Sequence, residues 1–176
     1  MSSLFQLGAK PPPDYSDPVG FLGACHRRIE AQLATLERIV AALRSGDTTH
    51  VVAARAALVD PLKYFAEAGA RHSLDEEASV FPRIQHPTIL EITSEHREHE
   101  ALYLALRTVG LRIAGGETEA RLVDDLAAHA SAMTVAYAEH MRREEADLFP
   151  LVAALEGKEL RAIGIEMRIR RGGASQ

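Results

Sequence analysis

The sequence predicts an all-α protein, an up-down-up-down antiparallel four-helix bundle with an N-terminal arm and a short C-terminal helix. Three observations support this prediction. Apolar residues recur at helical spacing over long stretches, short segments containing glycine or proline separate those stretches, and no stretch of any length alternates in the manner of a β-strand. Four long helices with short connections are typical of an antiparallel bundle.

The first helix is predicted from its two ends and its apolar stripe. Residues 1–17 contain three consecutive prolines and are expected to form an extended arm. Asp17 then reads as an N-cap and Pro18 as the first helical residue. Apolar residues with a/d spacing follow, and Ser45-Gly46 ends the helix.

The second helix is expected to begin near Asp47 or Thr48 and to run to Phe81, where Pro82 stops it. Pro61 lies inside this range. Because proline lacks the amide hydrogen that a helix interior needs, a kink or a restart capped by Asp60 is expected there.

The third helix is expected to begin at Pro87-Thr88 and to end before Gly115-Gly116. The fourth should run from near Thr118 to Phe149-Pro150, and a shorter basic helix should occupy about residues 158–171. The basic stretch RIRRGG at the end of that helix is expected to be solvated.

The chain is thus divided into three parts. Residues 1–17 are the arm, 18–155 the bundle, and 156–176 the short C-terminal helix and tail.

Composition excludes several classes of function. A net charge of −5 and a pI near 5.9 argue against nucleic acid as a partner. No apolar run approaches the ~18 residues that span a bilayer, and no secretory signal is recognisable. The single cysteine, Cys25, cannot form an internal disulfide and is expected to be a small buried hydrophobe, which suits a reducing cytoplasm. Neither an oligomeric state nor a protein partner can be read from the sequence.

An eleven-residue motif occurs twice in the chain. HSLDEEASVFP at 72–82 and HMRREEADLFP at 140–150 share His, Glu-Glu-Ala and Phe-Pro at an offset of 68 residues. The offset indicates that a pair of helices is repeated, as helices 1–2 and helices 3–4, and that each copy carries the same chemical groups.

Each predicted helix carries histidine on its inner stripe. His26 and His96 lie eight residues after a helix start, and His72 and His140 lie nine before Phe81 and Phe149. At about 1.5 Å rise per residue, all four lie about 12–14 Å from a helix end. Since neighbouring helices are antiparallel, the four histidines are predicted to meet at one level near one end of the bundle.

Two glutamates lie on the same inner faces. Glu76 and Glu144 follow His72 and His140 by one turn. A buried carboxylate is costly unless it is paired or coordinates a metal. Six or seven imidazole and carboxylate ligands exceed one tetrahedral zinc and suit two metal ions bridged by two carboxylates, with redox-active iron as the expected occupant.

These residues resemble a known family. His26, His96 and the two His-x3-Glu strings closed by Phe-Pro are similar to the hemerythrin-like (HHE cation-binding) domain over residues 18 to about 152. The resemblance implies a four-helix bundle holding two non-haem iron ions, with an oxo or hydroxo bridge and with dioxygen or another small diatomic or peroxide ligand. It implies that Glu76 and Glu144 bridge the irons and that histidines are terminal ligands. The implied metal ligands are His26, His72, Glu76, His96, His99, His140 and Glu144.

The sequence departs from the oxygen carriers of that family at two places. Its third-helix histidines, His96 and His99, are three residues apart instead of four, which leaves the seventh ligand open between His99 and Glu100. Its fourth-helix carboxylate, Glu144, comes four residues after His140, whereas the carriers have Asp at five. Glu77 and Glu145 recur with the motif and could orient a ligand histidine through its second nitrogen.

Three functions remain open on this basis. The favoured one is dioxygen binding, for carriage or sensing. The alternative is an iron-handling or redox-stress role acting on peroxide or nitric oxide. The third is iron storage or a purely structural metal, and ferritin-like storage is disfavoured because ferritin-like sites use Glu-x-x-His at i+3 and the order here is His-x3-Glu.

Overall fold

The computed structural model describes residues 14–172. The first long helix, α1, spans Pro18–Arg44. Asp17 caps it as predicted, because its side chain accepts a hydrogen bond from the amide of Gly20. The chain then turns at Gly46, whose φ of 73° lies in the left-handed region that glycine adopts at low cost.

The second long helix occupies residues 48–83 and is interrupted several times. It consists of α2 (Thr48–Ala57), α3 (Val59–Tyr64), a π-helical turn (Phe65–Gly69), α4 (Ala70–Asp75), a second π-helical turn (Glu76–Val80) and a 3-10 turn (Phe81–Arg83). Its start at Asp47 is confirmed, since the Asp47 side chain accepts from the amides of Thr49 and His50.

The expected restart capped by Asp60 is wrong. The α-helical pattern breaks at Leu58, one turn before Pro61, and α3 has no side-chain cap. Pro61 has no amide hydrogen, so one backbone hydrogen bond to the preceding turn is missing. The helix can continue past this gap without a new N-cap. Leu58 itself keeps helical backbone angles.

The third and fourth long helices resemble the first two in length. α5 spans Thr88–Gly115. The fourth long helix, residues 120–153, consists of α6 (Ala120–Arg143), a π-helical turn (Glu144–Leu148) and α7 (Phe149–Ala153). Pro150 does not end it, because proline at the start of α7 needs no amide partner. The predicted short helix is α8, Gly157–Arg170.

This architecture confirms the all-α helical bundle, and residues 14–172 contain no β-strand. Two apolar clusters form the core. The larger one packs residues such as Ile29, Leu36 and Leu126 along most of the bundle. The smaller one closes the end of the bundle with Leu22, Phe81, Phe149 and the α8 residues Ile163 and Met167. The polar layer described next lies between these two clusters.

The C-terminal arginines are not solvated as expected. Arg170 pairs with the buried carboxylate of Asp75, and Arg171 Nη2 lies 2.5 Å from Asp75 Oδ2. Arg83, at the end of the second helix, pairs with Glu166 of α8 at 2.7 Å. These contacts hold α8 against the helix that carries the first copy of the motif.

Candidate metal centre

Six side chains from the four long helices meet in one buried layer, as the sequence predicted. They form two groups, and within each group the candidate ligand atoms lie within 4.8 Å of one another. The two groups share two glutamates, which is the arrangement expected for a pair of cations bridged by carboxylates. The first group is His26, His72, Glu76 and Glu144, and the second is Glu76, His96, His140 and Glu144.

The distances within the layer place ring nitrogens around both carboxylates. Nε2 of His26 lies 3.0 Å from Oε2 of Glu144, and Nε2 of His140 lies 3.2 Å from Oε1 of the same residue. Nε2 of His72 and of His96 lie 3.5 and 3.3 Å from the two oxygens of Glu76. Each glutamate thus presents one carboxylate oxygen to a histidine of the first group and the other to a histidine of the second.

The donor set fits metal ions because its polar atoms are buried and unsatisfied. Glu76 and Glu144 are 0 % exposed, and neither oxygen of either carboxylate has an aligned hydrogen-bond partner. The Nε2 atoms of His26, His72 and His96 are also buried and have no hydrogen-bond partner among the described residues. Buried polar atoms without partners are rare and costly, so a group that binds all of them at once is the natural explanation.

Three further glutamates orient three of the histidines. Nδ1 of His26 bonds Glu145 at 2.9 Å, Nδ1 of His96 bonds Glu77 at 2.7 Å, and Nδ1 of His140 bonds Glu95 at 2.8 Å. Each bond leaves Nε2 facing the layer and makes the ring a better donor to a cation. The hydrogen bonds suggested for Glu77 and Glu145 are present, and their role in orienting metal ligands stays a prediction. Nδ1 of His72 has no such partner among the described residues.

Glu95 was missed by the sequence analysis. It lies outside the repeated motif, on α5, and acts on a histidine of the fourth helix. Arg143 holds it from the other side, with Nε 3.0 Å from Glu95 Oε1. The sequence does not distinguish Glu95 from the many charged residues on exposed helix faces, although Glu95 directly precedes His96.

The π-helical turns explain why Glu-Glu-Ala and Phe-Pro occur together. In both copies the π turn begins at the buried glutamate and ends just before the phenylalanine. The ring of Phe149 stacks on His26 at 5.2 Å, and Phe81 stacks on His96 at 6.0 Å. Each motif therefore supplies a carboxylate to the layer and an apolar cover for a histidine of a neighbouring helix. π turns inside α-helices are frequent at functional sites.

The protonation of the layer reflects its burial and its charges. Burial together with the neighbouring Glu144 carboxylate raises the pKa of Glu76 to about 7. Burial opposes ionisation of Glu144 as well, but His140 and His26 hold the pKa of that carboxyl well below its usual range. In the protein alone the layer thus favours protons on His26, His96, His140 and Glu76, where cations would otherwise supply the positive charge.

The histidines fall into two kinds. Burial opposes protonation of His96, yet Glu144 and Glu76 raise its pKa to about 10. Burial holds the pKa of His72 well below its usual range, and the neighbouring charges of His26 and His140 lower it further. His72 is therefore a neutral ring ready to donate to a cation.

His99 lies beside the layer and outside both groups of four. It is buried, its ring stacks on Tyr137 at 4.1 Å, and its edge faces His140 at 4.6 Å. Burial and the neighbouring His140 lower the pKa of His99 to about 3. Glu100, the other candidate for a seventh ligand, is exposed. Tyr103 donates its hydroxyl to the carbonyl of Leu62 and does not reach the layer.

A cavity of about 530 Å³ opens between the second long helix and α5 and reaches this side of the layer. His96 and His99 line its inner end, and Arg97 and Glu100 line its rim. The two apolar clusters lie on either side of the layer along the bundle. The cavity is therefore a route by which a small molecule could approach the candidate ligands.

The fold and the layer together define a metal-binding helical-bundle protein, in which two groups of side chains could each hold a cation. A family model described as the hemerythrin HHE cation binding domain matches residues 17–161. Since this match covers most of the chain, the protein belongs to the hemerythrin HHE cation-binding domain family.

The comparison with curated proteins found no match, and neither did the comparison with solved structures. Within residues 14–172, no helix combines the length and the apolar character required to cross a membrane.

Proposed function

We propose that the protein is a non-haem di-iron protein that binds dioxygen, for carriage or for sensing. The observation that carries the proposal is the pair of four-residue groups sharing Glu76 and Glu144. In this proposal the shared glutamates bridge two iron ions, His26 and His72 complete one site, and His96 and His140 complete the other. A pair of iron ions supplies reversible redox chemistry toward dioxygen.

The ligand types narrow the choice of metal to a few ions that include iron. Two imidazoles and two carboxylates for each ion form a mixed nitrogen and oxygen set, which suits iron, manganese or zinc and disfavours the all-oxygen ions magnesium and calcium. A closed tetrahedral zinc site would not need a second group of four sharing the same carboxylates. His99 remains a prediction as an additional ligand of the second ion.

The chain's own residues have three tasks in this function. Glu145, Glu77 and Glu95 hold His26, His96 and His140 with Nε2 toward the ions. The apolar clusters on both sides keep bulk water away, which slows loss of the ions and side reactions. The cavity beside His96 gives a small ligand access to the layer.

One observation favours the alternative, an iron-handling or redox-stress role acting on peroxide or nitric oxide. The cavity that reaches His96 and His99 is far larger than dioxygen needs and has charged residues at its rim. Polar small molecules such as peroxide could enter it.

The test is the metal content of protein purified without added metal, with absorption spectra in air and after dithionite. Two irons per chain and a charge-transfer band that bleaches on reduction and returns with oxygen over repeated cycles are expected. Release or permanent oxidation of the iron would favour the alternative. No metal, or one zinc per chain, would refute the proposal.

Variants connect the result to the layer. His72→Ala should lower the iron content because it removes one of only four ligands in the first group. His129→Ala is the matched control, since His129 is a partly buried histidine of α6 outside both groups. Equal loss of iron in both variants would mean that the layer does not hold the metal.

A further inference from the structure

The outer face of α5 carries three exposed leucines on one line. Leu90, Leu104 and Leu111 are 79 %, 50 % and 47 % exposed. A single exposed leucine is ordinary on a protein surface. These three are separated by fourteen and then by seven residues, and residues seven apart lie almost above one another along a helix. The leucines are therefore members of one linear feature.

Smaller or polar residues fill the intervals between the leucines. Ser94, Arg97, Ala101 and Thr108 are exposed as well. Together with the leucines they recur at alternating steps of four and three residues from position 90 to position 111, which is the spacing of a coiled-coil seam. We call these seven residues the outer stripe. It lies opposite the buried face of α5, and its exposure shows that no residue of 14–172 covers it.

The charged residues beside the outer stripe are sorted along the helix. Glu91, Glu98 and Glu100 flank its first half, and Arg107 and Arg112 flank its second half. All five side chains are exposed. The stripe thus has an acidic end and a basic end, so its charge is complementary to that of an identical helix running in the opposite direction. An interface between two copies of one chain requires this kind of self-complementarity.

The charges also select one register for such a pair. When Ala101 faces Leu104 of a second copy, the flanking residue Glu100 of each copy lies beside Arg107 of the other, and this ion pair forms twice by symmetry. Within one copy the two residues are about 10 Å apart along the helix and do not pair. A shift of one heptad in either direction would instead bring Glu100 or Arg107 beside its own counterpart. A parallel pair would bring Arg107 beside Arg112 of the second copy.

Side-chain size favours the same register. Leu104 of each copy meets Ala101 of the other, and Leu111 meets Ser94. Leu90 reaches Gly115, the last residue of α5. Each leucine thus meets a small residue, which allows the two helices to approach closely. Because charge and size are separate properties of these residues, their agreement on one register points to a second copy of this chain as the partner.

We propose that the outer stripe of α5 is the interface of a homodimer, in which two α5 helices pair antiparallel about a two-fold axis between Ala101 and Leu104. This inference goes beyond dioxygen binding and does not depend on bound metal. Contact through one helix from each copy is at the small end of specific interfaces, so we expect a dissociation constant on the order of 10 μM. Arg97, Glu100 and Leu104 also line the cavity, so the second copy borders its mouth.

The experiment is analytical ultracentrifugation of the full chain, as purified, from about 1 to 200 μM in low salt, a range that brackets the expected dissociation constant. Wild type should pass from monomer to dimer over this range. Glu100→Arg and Arg107→Glu should each weaken the dimer at least about tenfold, because each change turns two attractive pairs into repulsive ones. The control is Glu30→Arg, the same charge reversal at an exposed position of α1, which should leave the dimer unchanged.

Mixing the two single variants tests the register directly. A pair of one Glu100→Arg copy and one Arg107→Glu copy has an arginine opposite a glutamate at both contacts. We therefore expect the equimolar mixture to dimerise about as well as wild type, although neither variant does so alone. Recovery in the mixture also shows that both variants are folded.

Several outcomes would overturn the proposal. Wild type that stays monomeric over the whole range would do so, whether residues 1–13 or another protein cover the stripe. A mixture that behaves like the single variants, or a Glu30→Arg variant that dimerises as weakly as they do, would do so as well. Ultracentrifugation reads association whether or not iron is bound, so failure of the di-iron proposal and failure of this one remain distinguishable.

Discussion

Asp75 offers a test of how the C-terminal helix is held to the motif helix. Its carboxylate is 0 % exposed and is paired with Arg170 and Arg171, whose side chains are 20 % and 12 % exposed. Replacing both arginines with alanine would leave a buried carboxylate without a cation. Replacing Asp75 with asparagine would instead leave two arginines that lie close enough to the surface to reach water.

The two perturbations should differ in cost. Breaking a buried ion pair so that a charge is left unpaired costs about 3–5 kcal/mol. Loss of hydrogen bonds to charged groups costs about 1.5–3 kcal/mol, which is the expected effect of Asp75→Asn. Removal of Arg171 also loses its contact over the ring of Phe21, which adds about 0.5–1 kcal/mol to the cost of the arginine variant.

Urea unfolding of the metal-free protein, monitored by circular dichroism, measures both costs without the contribution of bound metal. Arg142→Ala is the control, because Arg142 and its partner Glu139 are 65 % and 54 % exposed and their pair should contribute less than about 1 kcal/mol. If Asp75→Asn destabilised the protein as much as the double arginine variant, or more, the argument from an unpaired buried charge would be refuted.

Three further predictions follow from the site and the core. Glu77→Gln should lower iron affinity about 10- to 100-fold in a competition titration, because it weakens the bond that orients His96. Its control, Glu98→Gln, changes an exposed residue of α5, the helix that carries His96, and should have no effect. Metal binding should release protons and strengthen as the pH rises, because the pKa of His96 is raised to about 10 and its proton must leave before the ring can bind a cation. Calorimetry in buffers of different ionisation enthalpy counts the released protons. If no protons were released, the argument would be contradicted. Leu106→Ala, at a fully buried position, should cost about 2–5 kcal/mol in urea unfolding, and Leu104→Ala, half exposed, no more than about 0.5 kcal/mol.

The sequence predicted the helices and the layer because both follow from periodic patterns. Asp17 and Asp47 cap their helices as expected, since caps are local interactions. The four histidines meet because equal distances from helix ends become equal depths in an antiparallel bundle. Neither inference needed knowledge of side-chain packing.

What the sequence did not reveal depends on contacts between distant residues. Glu95 bonds His140 across 45 positions, and Asp75 meets Arg170 across 95. No pattern along the chain distinguishes these charged residues from solvated ones. The cavity was also unpredictable, because its lining joins residues of three helices, such as Gly69, His99 and Tyr137, that no pattern along the chain connects.

The π turns at 76–80 and 144–148 each hold one residue more than an α-helix needs for the same rotation, because a π turn closes i to i+5 and an α-helix closes i to i+4. Deleting that extra residue would restore regular winding and would leave Phe81 facing His96 and Phe149 facing His26. We therefore expect related chains to differ by one residue in this interval while they keep the histidine and Phe-Pro, so that an alignment gap there would mark the loss of a π turn and not the loss of the stacked ring.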